Sequence, residues 1–468
     1  MLGDLNALNA ALSMMGWDRQ VLMPPGGAVA RTIHQERLTA LRHALLTSDA
    51  MREVAEQYPP LQRDIALADA LPKELVLRKA RVANDAYEAW RQAKAENDFP
   101  RLAPYLQELF DIAREVSERR TIGTHVYDGL IDLFEQGTTY ADARAMFDGM
   151  KPRLVALVRE IAAQPPIDDS NLAGEWDQDR LRDFAQTTAT QMGFDFERGR
   201  LDRCANAFCG GTTRGDVRMT TRASDHIKGI LSSSLHEMGH GLYEQAIPPQ
   251  LEGTPFGHGV SLAVHEASSR LWENIVGRSR PFWEWLTPRL RTAFPERDFD
   301  NAWRAYTRVE PEFIRVGADE LTYNLHILVR FELEVEILEG KVAIRDLPEA
   351  WNAKYEAYLG IRPPTDTLGC LQDVHWSRGS VGYFPTYAMG NLIGGRFWRE
   401  ITKSVPDWDG EMAEGRFEGL LAWLTANVYQ YGSEMAPADL VRQATGGYLE
   451  PEPWLDYAEA KYREVYRL

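Results

Sequence analysis

The chain has 468 residues, 44% of them hydrophobic, and 69 Asp and Glu outweigh 52 Lys and Arg for a net charge of −17. So acidic a protein is a poor partner for nucleic acid or an anionic membrane, and no apolar run reaches the roughly 20 residues that a membrane helix needs. Three cysteines (Cys204, Cys209, Cys370) exclude a disulfide framework and point to a reducing compartment, the cytosol; the start, Met1-Leu2-Gly3-Asp4, lacks the basic and apolar blocks of a secretion signal.

Residues 1 to about 165 predict helix after helix. Ala7 to Leu22 is broadly apolar and stops at Met23-Pro24-Pro25-Gly26-Gly27, a turn signal. Leu102, Leu106, Leu109, Phe110 and Ala113 fall at helical spacing, as do Phe147, Met150, Leu154, Leu157, Val158 and Ile161. These stripes read as helix-packing core. Asp168 to Leu201 is more polar, and Asp216-Val217-Arg218-Met219-Thr220-Thr221 then alternates as a strand does.

The chemistry begins at Leu235-His236-Glu237-Met238-Gly239-His240-Gly241. Residues i and i+4 share a helix face, so His236 and His240 can grip one metal ion while Glu237 stands beside it to take a proton from water. Ile227, Ile230, Leu231, Leu235, Met238 and Leu242 form an apolar stripe beside the histidines. Gly239 and Gly241 each cost a helix roughly 1 kcal/mol against Ala, which predicts that something approaches this helix closely. Catalytic zinc takes three protein ligands and keeps one open position. Glu244 lies on the same face as His240 but about 6 Å further along the axis, too far to ligate. The better third ligand is in a second predicted helix, Ser261 to Glu273. Glu266 would face the first helix, His265 is the neighbouring alternative, and Glu273 would buttress a ligand histidine.

Downstream, Phe282 to Phe299 is aromatic and basic and reads as surface helix and loop. Ile314-Arg315-Val316-Gly317-Ala318-Asp319 offers an Arg able to fork a carboxylate, or to pair with Asp319 at i+4. Tyr323 to Leu338 is ambiguous between periods; length, Glu and Leu content and Gly340 as terminator favour helix. Asp346-Leu347-Pro348-Glu349 opens another helix with capping-box-like spacing. Gly369-Cys370-Leu371-Gln372-Asp373-Val374-His375-Trp376 and Gly382-Tyr383-Phe384-Pro385-Thr386-Tyr387 concentrate polar groups between loop signals. A tetrahedral oxyanion needs donors besides a metal, and His375 and Tyr383, or Tyr387, are apt; each could equally be a packed core residue. Leu420 to Leu468 is again helical.

Together these stretches resemble the carboxypeptidase Taq family of zinc metallocarboxypeptidases. The resemblance rests on His236-Glu237-x-x-His240 followed by His265-Glu266-Ala267-Ser268-Ser269-Arg270, Trp17-Asp18 to Met23-Pro24, and Asp216-x-Arg218-x-Thr220. It extends to Ile314-Arg315-x-x-Ala318-Asp319, Gly369-x-x-Gln372-Asp373-x-His375-Trp376, and family-like runs at Trp90-Arg91 to Asp98-Phe99 and Tyr127-Asp128 to Glu135. One motif departs: where the family carries His-Pro-Phe, this chain has Asn206-Ala207-Phe208, flanked by Cys204 and Cys209. The departure puts specificity or rate in doubt, not the metal ligands. A second metal on the two cysteines would need partner ligands that are not nearby in sequence.

The resemblance implies one mainly α-helical domain with a small β-sheet and a cleft between two helical halves, of the neurolysin and angiotensin-converting-enzyme type. Helical residues 1–200, a metal and groove region at about 201–400 and terminal helices at 401–468 would make up this domain. It further implies a homodimer and peptide substrates with a free C-terminus, taken with broad side-chain preference. In this reading His236, His240 and Glu266 hold Zn²⁺ (or Co²⁺ or Mn²⁺), Glu237 is the general base, and Tyr383 or His375 stabilises the oxyanion. Arg315 anchors the substrate carboxylate, with Asp216, Arg218, Gln372, Asp373 and Tyr387 lining the substrate site. Asp216 and Arg218 could instead pair with each other. An endopeptidase, which needs no carboxylate anchor, and a catalytically silent scaffold are the competing readings.

Overall fold

The computed structural model describes residues 1–224 and 226–468. It is helical along most of its length, with one three-stranded sheet. Two compact units account for the chain, and each is assembled from three separate segments. One comprises residues 1–68, 167–307 and 393–448, the other 69–166, 308–392 and 449–468. The compact units therefore do not follow chain order.

In the first unit the N-terminal helix Leu2–Val21 ends before a turn of 3-10 helix at Pro25–Gly27, where the Pro-Pro-Gly-Gly run stands. Strands β1 (Gly199–Cys204), β2 (Cys209–Thr213) and β3 (Asp216–Arg222) form the sheet in the order β1-β3-β2. β3 is the centre: β1 pairs with it in parallel from Gly199 opposite Val217, and β2 runs antiparallel with Cys209 opposite Met219. The alternation read from the sequence holds at Val217 and Met219, which are buried, and at half-buried Arg218. Thr220 departs from it. It is buried too, because its hydroxyl takes the Phe208 N–H at 2.8 Å and donates to the Phe208 carbonyl at 3.0 Å. Cys204 and Cys209 remain free thiols on strands either side of β3.

The helix Ile227–Ala246 crosses this unit with Ile227, Ile230, Leu231, Leu235, Met238 and Leu242 buried, as its stripe predicts. Leu262–Arg270 follows, capped by Ser261, whose hydroxyl accepts the Val264 N–H at 3.2 Å. It runs directly into a π-helical turn, Leu271–Val276. The aromatic stretch after it is not at the surface. Helix Arg280–Ala293 buries Phe282, Trp283, Trp285, Leu286 and Leu290, each worth roughly 2–3 kcal/mol of burial, while its arginines carry the solvated side. The basic residues disguised a core helix.

In the second unit, helices Phe99–Arg120 and Tyr140–Ala162 bury the two stripes named above. The ambiguous segment is a helix, Glu320–Leu338, buried on nearly every side, and Gly340 stands in the left-handed region just beyond it (φ 76°). Burial all round removes the one-sided periodicity that normally marks a helix. Asp319 caps this helix, accepting the N–H groups of Leu321 at 2.9 Å and Thr322 at 3.0 Å. By contrast Asp346, expected to cap Leu347–Leu359, makes no side-chain cap bond; Pro348 in the first turn marks that start instead. Glu452–Tyr466 closes the unit. None of the helices is long and apolar enough to cross a membrane among the described residues.

Candidate active site

Within the first unit, His236 and His240 turn their Nε2 atoms toward one oxygen. Glu266 Oε2 lies 3.6 Å from His236 Nε2 and 3.7 Å from His240 Nε2. Donors set tetrahedrally at about 2.1 Å from an ion stand about 3.4 Å apart, so these three atoms already have the spacing that one divalent ion requires. They are the one His, Cys, Asp or Glu cluster of this kind among the described residues. Two imidazole nitrogens and a carboxylate oxygen also match the donor chemistry of a catalytic zinc set. Glu266, not His265, supplies the third atom.

The opposite edge of each ligand is held. His236 Nδ1 is 2.9 Å from Glu273 Oε2, a carboxylate delivered by the π-helical turn. His240 Nδ1 is 2.9 Å from His265 Nδ1, whose Nε2 reaches Glu244 Oε1 at 2.6 Å. With Nε2 of His240 left as a lone pair, its Nδ1–H donates to His265, and His265 in turn donates from Nε2 to Glu244. Glu244 and His265, a non-ligand and an alternative ligand by spacing, are thus the outer supports of His240. Glu266 is fixed as well: Arg270 Nε binds its Oε1 at 2.7 Å, the Ser269 hydroxyl donates to its Oε2 at 3.1 Å, and Arg270 Nη1 reaches Glu273 at 3.2 Å. The close approach predicted from the glycines is here. A Cβ on Gly239 would stand 2.6 Å from Ser269 Cα, and one on Gly241 2.6 Å from the Phe194 ring.

Glu237 is buried beside the cluster at 4% exposure. Burial raises its carboxyl to about 7, helped by Glu266 and Glu273 and opposed by His236. A base poised there can take a proton from water and return it near neutral pH. Burial works against charge on His236, but Glu266 and Glu273 prevail and lift it to about 9. His240 is driven down by burial and by the positive charge of His236.

Asp216 and Arg218 pair with each other, Arg218 Nε to Asp216 Oδ1 at 2.8 Å, and the guanidinium lies 4.5 Å from the Trp17 ring centroid. β3 is paired on both sides, so the sheet's free edges belong to β1 and β2. The Trp17 and Asp216 motifs meet in one stack.

In the second unit, Arg315 is buried and directs Nε (3.1 Å) and Nη2 (2.9 Å) to Asp373 Oδ1, and Nη1 to the Tyr323 hydroxyl at 3.0 Å. Asp319 is occupied as a helix cap, so the i+4 pair does not form. Arg330 binds the other oxygen of Asp373 at 2.6 Å and Gln372 Oε1 at 2.7 Å. Gln372 also accepts the Arg315 N–H at 2.8 Å and donates to the Phe313 carbonyl at 2.9 Å. Two guanidiniums therefore share one carboxylate, and the three residues carry one excess positive charge. Despite burial, the two arginines hold Asp373 far below the usual carboxylate range. His375 is lowered to about 4, by burial first and then by the arginines over the pull of Asp373, so it is neutral at pH 7. Its Nε2 is 3.3 Å from the Tyr387 hydroxyl, and its ring lies 5.5 Å from that of Tyr383. Trp90 Nε1 and Lys94 Nζ donate to the carbonyls of Leu371 and Gln372, both at 2.9 Å, which gives the Trp90 stretch a structural task.

Arg330, Tyr323 and Glu334 escaped the sequence reading. A signal was available: His326, Arg330 and Glu334 recur every fourth residue along Glu320–Leu338, and buried polar groups at helical spacing imply partners.

The whole chain has relatives. Residues 1–462 match the family described as Carboxypeptidase Taq (M32) metallopeptidase. Carboxypeptidase 1 of Bacillus subtilis is 32% identical over 489 residues, covering 100% of this chain and 98% of its own. Thermostable carboxypeptidase 1 of Thermus thermophilus is 35% identical over 497 residues, covering 99% and 96%. The crystal structure of the M32 carboxypeptidase from Deinococcus radiodurans R1 superposes with a TM-score of 0.96 at 36% identity, covering 100% of this chain and 98% of that one.

Proposed function

Because this chain belongs to the carboxypeptidase Taq (M32) family of metallopeptidases, we propose that His236, His240 and Glu266 hold a catalytic Zn²⁺ with which it removes C-terminal residues from peptides of broad sequence. The observation that carries the metal assignment is the spacing of the three donor atoms, each backed by its own outer partner. A divalent ion there supplies Lewis acidity, polarising the scissile carbonyl and acidifying water; Co²⁺ or Mn²⁺ fits the same N and O donors.

The chain's own groups do the rest. Glu237 takes the proton of the attacking water at its carboxylate and passes it to the leaving amine nitrogen. Arg315 recognises the free carboxylate of the substrate: the excess charge it shares with Arg330 and Asp373 is what a terminal carboxylate neutralises. Asp373 and Gln372 orient the two arginines. Tyr383, or Tyr387, donates a phenolic hydrogen bond to the oxyanion, and neutral His375 donates from its ring rather than by charge. Asp216 and Arg218, paired with each other, hold β3 against Trp17. The free thiols support a reducing compartment, the cytosol, and the family resemblance supports a homodimer, which light scattering of the purified protein would check.

The test pairs one peptide bearing a free C-terminus with its amidated twin, each followed by mass spectrometry with chelated protein, Zn²⁺-restored protein and Glu237→Gln. The expected outcome is stepwise loss from the free peptide alone, dependent on metal, with Glu237→Gln retaining metal but losing kcat by at least about 10²–10⁴-fold. Equal internal cleavage of both peptides would remove Arg315 as the anchor and make the enzyme an endopeptidase.

A further inference from the structure

The polar face of helix Glu320–Leu338 does two separate jobs. His326 bonds Tyr355 and Arg330 belongs to the Arg315 cluster, but Glu334, one turn further on, does not touch that cluster. Its carboxylate is fully buried and accepts three neutral donors. Trp376 Nε1 reaches Oε1 at 2.7 Å; the Tyr127 hydroxyl (2.6 Å) and the Gly382 N–H (3.1 Å) reach Oε2. Trp376 directly follows His375, and Gly382 directly precedes Tyr383. One carboxylate therefore grips both ends of the turn 376–382, each at the residue next to a candidate oxyanion donor.

The surroundings leave this turn little freedom. Gly382 has φ +94°, and a Cβ there would lie 2.8 Å from the Leu130 carbonyl carbon. Phe134, from the same stretch as Tyr127, packs edge-on against the Tyr383 ring at 5.1 Å. Burial raises the Glu334 carboxyl to about 7 despite its three donors and nearby Arg330. Replacing a buried ionisable group of this kind by an apolar side chain of similar size is often neutral or stabilising. Stability alone does not account for it.

We infer that Glu334 is a positioning residue for peptide hydrolysis, setting His375 and Tyr383 in register with each other by holding the turn between them at both ends. The inference rests on the reading that these two side chains act on the substrate. The carboxylate matters because every group it meets donates. In Glu334→Gln an amide nitrogen at the Oε1 position faces the Trp376 indole N–H. At the Oε2 position it faces the Gly382 N–H. Either orientation sets donor against donor and releases one end of the turn.

The test uses full-length, Zn²⁺-loaded protein and a peptide with a free C-terminus, comparing Glu334→Gln, Tyr383→Phe, His375→Ala and the two doubles with Glu334→Gln. Metal content and unfolding temperature are recorded for each. A misplacement of about 1 Å at a reacting group can cost up to about 100-fold, so Glu334→Gln should lower kcat by about 10- to 100-fold while KM stays within about twofold. In at least one double, the Glu334→Gln effect should shrink to about twofold or less, because the displaced donor is already gone. Glu334→Gln with native metal content and unchanged kcat, or with its full effect in both doubles, overturns the inference. If Glu334→Gln does not fold, Trp376→Phe removes one end of the grip, and an unchanged kcat there overturns it equally. Should Tyr383→Phe and His375→Ala both keep wild-type kcat, the reading of those residues falls; a slow Tyr383→Phe beside a silent Glu334→Gln removes Glu334 alone.

Discussion

His236 is pulled two ways before any ion arrives. Burial favours the neutral ring, but Glu266 and Glu273 keep it protonated up to about 9. A metal ligand must offer a lone pair, so below that pH each ion bound displaces one proton. Affinity should therefore rise roughly tenfold per pH unit from 6.5 towards 9 and then level off. Competition against a chelator of known affinity across that range measures the slope, and calorimetry in two buffers of different ionisation enthalpy counts the proton. A flat profile would mean that His236 is already neutral. Arg315 poses a different residue-scale problem. Its guanidinium is buried and already engaged, so Arg315→Met leaves Asp373 paired with Arg330 alone. Asp373 keeps one guanidinium, so the cost should stay below the about 3–5 kcal/mol of an uncompensated buried charge, and the unfolding temperature is the control for any loss of exopeptidase activity.

At the scale of elements, the contact between helices Ile227–Ala246 and Leu262–Arg270 decides whether three ligands meet. Gly239 permits it, since Ser268 and Ser269 main chain occupies the space a side chain would take, and the Ser268 hydroxyl bonds the Gly239 carbonyl at 2.6 Å. Gly239→Ala improves helix propensity by up to about 1 kcal/mol but overpacks backbone against backbone, at typically 1–3 kcal/mol. Clash wins. The variant should unfold at lower temperature and bind metal more weakly, because Glu266 moves with its helix; calorimetry and metal titration would show both. The π-helical turn Leu271–Val276 is the other element-level device, re-aiming the chain after Glu266 so that Glu273 meets His236. Its extra residue leaves no mark in the hydrophobic pattern, whereas Glu266 and Glu273 at whole-turn spacing were legible. The fully buried helix Glu320–Leu338 was legible as a helix only by length and composition.

For the molecule as a whole, His236, His240, Glu266 and their supports belong to one compact unit, and the Arg315 cluster to the other. An ion at about 100 times its Kd stabilises the fold that binds it by about 2.7 kcal/mol, a factor of about 100 in opening equilibrium. Chelation should accordingly speed amide exchange across Ile227–Ala246 and Leu262–Arg270 by up to that factor and leave Glu320–Leu338 unchanged. Exchange mass spectrometry with and without chelator reads this directly. Uniform acceleration would show that the metal stabilises the entire chain as one cooperative body.

The His236, His240 and Glu266 cluster, the helical character and the family were readable in the one-dimensional string because each depends on near neighbours: a four-residue helical repeat, an apolar stripe, a run of motif residues. What the string could not settle depended on residues far apart in sequence. Only the folded chain shows Arg315 bound to Asp373 rather than Asp319, because Asp319 is consumed as a helix cap. Only there do Glu244 and His265 line up behind His240, and only there does Glu334 meet Tyr127, Trp376 and Gly382. Helical periodicity tells which side chains share a face; which distant donor or charge satisfies each buried one is settled by packing, since most such groups find a partner once water is excluded.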